Sequence, residues 1–243
     1  MRTIRIHASL ALEPGRELAL PAAASEHLTR VLRLGAGAAL TLFNGDGHDY
    51  AARLLDAARG GARVEILARV APAAAESPLV LTLVQGIARG EKMDWILQKA
   101  TELGVAAIVP VVTARTEVRL DADRGERRVA HWRNVVASAC EQSGRARLPE
   151  VAPPQPLTAW LATKPYAGPL LVLDPAATIR VRELAPMASA CLFAGPEGGL
   201  DDSDLVLLRQ AGAQGLGLGP RVLRTETAGL AAIAMLQSRF GDC

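Results

Sequence analysis

The stretch Leu79–Val112, LVLTLVQGIARGEKMDWILQKATELGVAAIVPVV, decides the fold. Residues 79–85 and 106–112 are short, uncharged, apolar runs that read as buried strands, and 93–104 between them reads as a helix. Working outward, 126–142 is a long amphipathic helix, and 169–174, 190–195 and 213–219 are further strands. Helices follow in DDSDLVLLRQAG (201–212) and TETAGLAAIAMLQSRF (225–240). Continuous apolar strands separated by helices imply a parallel sheet covered on both faces. In such sheets ligands bind at the carboxyl ends of the strands.

Upstream the pattern changes. APAAAESP (71–78) lacks bulky residues, carries prolines near both ends and reads as a linker. Before it, 39–55 reads as a hairpin turning at Asn44–Gly47, 62–70 as another strand, and Glu26–Leu34 as a short helix capped by Ser25. The expected division is therefore a small β-rich barrel or sandwich over 1–71 and an α/β domain over 72–243.

Composition narrows the class of protein. The 243 residues are 50% hydrophobic and 21% charged, enough for a real core, and with 3% aromatic residues that core must be mainly Ala, Leu and Val. No apolar run approaches the ~18 residues of a membrane span. The N-terminal residues show no signal-peptide pattern, and Cys140, Cys191 and Cys243 are far apart, as expected of reduced thiols in a cytoplasmic protein. A net charge of +2 decides little, but the basic residues are overwhelmingly arginine, which suits phosphate contacts and base stacking. The G-x-G-x-x-G, P-loop and G-x-S-x-G patterns are missing, and His7, His27, His48 and His131 have no metal-ligand spacing, so no metal is expected.

Two loops at strand ends carry the chemistry. One is FAGPEGGL (193–200), the other GLGLGPRVLRTETAG (215–229). Glycine before a helix start usually marks a phosphate site. Here Asp201, Asp202 and Asp204 already satisfy the positive end of the helix and would repel phosphate, so a neutral or cationic ligand fits better. Each loop also has a plain structural reading: a closely packed strand for GLGLG, and a helix capped by Thr225 for RTET.

KMDWILQKATELGV (92–105), EQSGR (141–145), GPEGGL (195–200) and LGPRVLRTETA (218–228), with the closing GD, resemble the SPOUT-class 16S ribosomal RNA (uracil-N3-)methyltransferases, the RsmE family. The resemblance covers nearly the whole chain, HLTRVLRL and LFNGDG included. It implies an α/β fold: a small N-terminal PUA-like β-barrel plus a C-terminal SPOUT α/β domain with a deep trefoil knot. It also implies S-adenosyl-L-methionine as cofactor, a homodimer, and a uridine of 16S rRNA on the 30S subunit near the decoding centre. By the same resemblance Gly195, Pro196, Glu197, Gly198 and Gly199 form one wall of the cofactor site. Leu218, Gly219, Arg221, Val222 and Leu223 form another, with Thr227 close by and Leu173 and Asp174 on a third loop.

Methylating uracil N3 removes a proton, and the target base must be unpaired or flipped out. Arg224 and Arg221 are the expected donors to the charge developing on O2 and O4. Glu197 or Glu226 is the expected proton acceptor, with a capping role equally open for Glu226. RNA contacts are expected from Arg5, Arg30 and Arg33, the last two on one helix face, from Arg89 and Lys92, and from Arg115, Gln142 and Arg145. The charged segment 119–128 reads as a solvated loop. A SPOUT enzyme for another RNA, a non-catalytic RNA-binding factor, and an unrelated nucleotide-binding α/β protein stay open as alternatives.

Overall fold

The computed structural model describes residues 4–58, 61–118, 122–163 and 166–243. The chain forms two compact units: Met1–Glu76 with Ala137–Leu148, and Ser77–Val136 with Pro149–Cys243.

In the first unit, β1 (Arg5–His7), β2 (Glu17–Ala19), β3 (Ala39–Phe43), β4 (Asp49–Ala58) and β5 (Gly61–Val70) form one sheet in the order β1-β3-β4-β5-β2. β1 pairs with β3 in parallel and the other pairs are antiparallel. One face alternates inward as Leu40 and Leu42, Ala52 and Leu54, Val64 and Ile66, which close over Ile6 and Leu28. The expected helix over 26–34 is displaced. Helix α1 (Ala22–Glu26) follows Pro21 and runs into a π-helical turn, His27–Val31, where Leu32 N–H donates to His27 O. Ser25 is inside α1 and is no cap: its hydroxyl donates to Leu20 O and accepts from Ala62 N–H, because two buried backbone groups there lack other partners. Arg33 then leaves the helix with φ 52°, so Arg30 and Arg33 do not share a helix face.

The second unit is built on β6 (Val80–Gly86), β7 (Ala107–Val112), β8 (Glu150–Val151), β9 (Gln155–Pro156), β10 (Leu170–Leu173), β11 (Ser189–Ala194) and β12 (Gln214–Leu216). The order is β12-β10-β11-β6-β7-β8, with β9 on β7, and every pair is parallel. Helices α2 (Glu91–Glu102), α3 (Ala122–Ser143), α4 (Leu157–Thr163), α5 (Asp202–Gln210) and α6 (Thr225–Phe240) connect the strands. Val84, Val111, Val172 and Phe193 pack with Trp160 and Leu208 on one side of the sheet, while α6 packs against β6, β11 and α2.

Two local expectations change. Residues 122–128 belong to α3, where exposed Glu126 and Arg127 mark the solvent face of a helix; Arg119–Asp121 lie outside the described residues. Arg224 occupies the cap position of α6 without a side-chain cap bond, and Thr225 is the first helical residue. The Thr225 hydroxyl donates instead to Gly195 O at 2.5 Å, a carbonyl that leaves β11 with no ladder partner. Asp201 does cap α5, accepting from Asp204 N–H while the Asp204 carboxylate returns a bond to Asp201 N–H.

Candidate functional site

Parallel strands end on one edge, so the loops after β10, β11 and β12 converge. Between them lies a cavity of about 240 Å³. Leu173, Asp174 and Pro175 line it from β10, Gly195, Pro196, Glu197, Gly199 and Leu200 from β11, and Leu218, Gly219 and Arg221–Thr225 from β12. Ala194, Leu205, Leu216 and Ala228 complete an apolar floor. The last loop must pass very close to the first: a Cβ on Gly217 would sit 2.4 Å from Ala177 O. No other residue type fits there, which accounts for that glycine of GLGLG.

Gly198, Glu226 and Thr227 do not line the cavity. Gly198 faces outward against Arg115, whose Nη1 donates to Gly198 O at 3.1 Å. Thr227 is exposed in the first turn of α6. Glu226 points toward Lys92, with Nζ 3.9 Å from Oε2, an oxygen that is buried and has no hydrogen-bond partner among the described residues. Lys92 also lies 3.5 Å from Glu197 Oε1, so one ammonium serves two carboxylates. Glu197 accepts the Arg89 backbone N–H at 3.0 Å. Burial pushes the Glu197 carboxyl up, but the Arg89 hydrogen bond, a bond from its own backbone and the Lys92 charge outweigh it and hold the group below its ordinary value.

The expected RNA contacts divide sharply. Arg30, Arg33, Arg89, Arg115 and Gln142 are exposed, and Lys92 is half-buried. Arg5 and Arg145 point inward and are corrected on that ground. Arg5 is 6% exposed, pairs with Asp49 at 2.6 Å, donates to Cys140 O and Arg145 O, and lies over the Phe43 ring. Arg145 is held by both carboxylate oxygens of Glu76. Their charges are used in holding the first unit together. Among the described residues no group of three or more His, Cys, Asp and Glu is placed to hold a metal ion, and no helix is long and apolar enough to cross a membrane.

The lining missed from sequence is mostly apolar. Leu205 and Ala228 reach the cavity from α5 and α6, and Arg209 approaches Asp174 at 3.6 Å. Ala194, Leu200, Leu216, Thr225 and Ala228 lie within the two loop stretches read from sequence, whereas Leu205 and Pro175 do not.

The chain has the domain pair of an RNA methyltransferase: a family model described as an RNA methyltransferase domain matches residues 75–237, and one described as an RNA methyltransferase PUA domain matches 20–67. The ribosomal RNA small subunit methyltransferase E of Buchnera aphidicola subsp. Schizaphis graminum is 31% identical, over 99% of this chain and 98% of that protein. A methyltransferase from Legionella pneumophila, solved in complex with the bound cofactor SAM, superposes with a TM-score of 0.95 at 37% identity, covering 100% of both chains. A ribosomal RNA small subunit methyltransferase E from Neisseria gonorrhoeae, bound to S-adenosyl methionine, gives a TM-score of 0.91 at 37% identity over 99% of each chain. The chain belongs to the ribosomal RNA small subunit methyltransferase E family.

Proposed function

We propose that this protein methylates N3 of a specific uridine in 16S rRNA, on the 30S subunit near the decoding centre, with S-adenosylmethionine bound between the two glycine loops. The observation that carries the reading is the cavity where Gly195–Glu197 and Gly199 face Leu218, Gly219 and Arg221–Arg224 beside Leu173 and Asp174. Its leucine walls and close backbone fit a flat adenine. Two family members solved with S-adenosylmethionine, each 37% identical to this chain, support the same ligand. When bound, that ligand supplies the electrophilic methyl group.

The chain's own residues then orient the base and manage the proton. Arg221 and Arg224, exposed at the mouth, stabilise negative charge on O2 and O4 as N3 is deprotonated. Glu226, in the first turn of α6 beside the cavity, accepts the proton through water. Glu197, held ionised below its ordinary value, is a poor base and instead anchors the Arg89–Lys92 loop. Arg30, Arg33 and Gln142 in one unit and Arg89, Lys92 and Arg115 in the other contact RNA.

The proposal extends to a PUA-like barrel within residues 1–71, a SPOUT domain over 72–243, a trefoil knot in the latter, a homodimer and a cytoplasmic location. The test is transfer of labelled methyl from S-adenosylmethionine to unmodified 30S subunits, with nucleoside analysis of the product. Recovery of 3-methyluridine at one site is expected. Label in another nucleoside, or no label, overturns the reading.

A further inference from the structure

Gln85 is fully buried near the end of β6. Its Nε2 lies within hydrogen-bond distance of three acceptors that share its two N–H groups: Gly86 O at 2.9 Å, Gly195 O at 3.2 Å and the Thr225 hydroxyl at 3.1 Å. Two of those partners are carbonyls, which only accept, so the amide nitrogen must face them. Thr225 in turn donates to Gly195 O. The Gly195 carbonyl thus receives both the amide and the hydroxyl. The residue after it is Pro196, so this peptide has no N–H and only its carbonyl is available to hydrogen bonds.

Folding alone does not favour this arrangement. The other end of the amide, Oε1, is buried with no hydrogen-bond partner among the described residues. It is 3.6 Å from the place a Cβ would take on Gly229. A buried carbonyl left unpaired opposes folding and offsets part of what the Nε2 bonds contribute. Sites that break a local rule without stabilising the fold are those shaped by function.

We infer that Gln85 is a positioning residue for the methyl-donor pocket. Through the Gly195 carbonyl and Thr225 it sets the loop Gly195–Gly199 in register with the loop that enters α6. Neither Gln85 nor its Oε1 lines the cavity, so its action is through the two walls. This rests on the pocket reading above.

Calorimetric binding of S-adenosylhomocysteine, with melting temperature measured alongside, tests it in Gln85→Met, Thr225→Val and the double variant. Each single change is expected to weaken binding about tenfold, the scale of one lost positioning hydrogen bond. The double variant is expected to be no weaker than either, because both act through one carbonyl. Gln85→Met, which leaves Gly86 O without its amide donor, is expected to melt a few degrees below the parent and still fold. Unchanged affinity in both single variants overturns the inference while leaving the pocket intact, and so do fully additive losses. A parent protein that does not bind S-adenosylhomocysteine overturns the pocket reading and the inference together. If Gln85→Met fails to fold, Gln85→Leu takes its place, because Thr225 itself lines the cavity and its change alone does not separate positioning from contact.

Discussion

Glu197 holds the Arg89 amide and faces the Lys92 ammonium, and these contacts set the sign of its pH response. Its folded-state pKa lies below the ordinary value of 4.5. A carboxyl lowered in this way stabilises the fold above the ordinary value, and that contribution fades as pH falls through the lowered one. Glu197→Gln is therefore expected to melt lower than the parent at pH 7, with the gap narrowing as pH is brought below 4.5; a gap independent of pH would refute the assignment. Arg5 works inside the first unit in the same electrostatic terms. It is 6% exposed and its partner Asp49 is 4% exposed, so removing the cation strands a buried carboxylate. Arg5→Met is expected to destabilise the first unit by about 3 kcal/mol, read from the urea midpoint. Arg5→Lys should recover only part of this, since an ammonium cannot reproduce the paired Nε and Nη2 contacts to Asp49.

Among the elements, the turn that ends the helix of the first unit is the most strained. Its backbone passes through a π-helical turn, and Arg33 follows in the left-handed region at φ 52°, where glycine is the usual residue. Leu34 N–H closes back on Leu28 O, so the geometry is fixed by the helix end and not by the arginine. Arg33→Gly is expected to raise stability by about 1 kcal/mol, seen as a higher melting temperature. The same variant is expected to bind 30S subunits more weakly, and a loss of both properties would mean that Arg33 packs in a structural role. The element scale also separates what sequence revealed from what it concealed. The strands β6, β7, β10 and β11 and the helices α2, α5 and α6 are long apolar or amphipathic runs, and their period is visible without a structure. β1, β2, β8 and β9 are two or three residues long, too short for any period to register. The two site loops each had a plain structural reading, and it was the family resemblance of GPEGGL and LGPRVLRTETA that made their residues legible as a site. The Arg5–Asp49 pair, 44 residues apart, and the Gln85–Thr225 contact, 140 apart, are products of tertiary packing that no local pattern encodes.

At the scale of the whole molecule, a net charge of +2 leaves binding to a polyanion dependent on where the cations are placed. Arg30 is paired with Glu26 at 2.6 Å and Arg89 with Glu117 at 2.6 Å, and all four side chains are more than half exposed. Surface pairs of this kind are worth about 0–1 kcal/mol, so a phosphate readily replaces the carboxylate. Each phosphate neutralised contributes about 0.7–0.9 to the slope of log affinity against log salt. Replacing Arg30 and Arg33 together by alanine is thus expected to reduce the slope for 30S binding by about 1.4–1.8, measured by filter binding across a salt series. S-adenosylhomocysteine carries no phosphate, and the cavity it is proposed to fill is lined largely by leucine and loop backbone, so its affinity should stay nearly flat over the same series. Parallel slopes for the two ligands would mean that the cofactor loops and the RNA cations act as one electrostatic site. An unchanged 30S slope in the double variant would remove Arg30 and Arg33 from the RNA surface and leave Arg89, Lys92 and Arg115 to account for it.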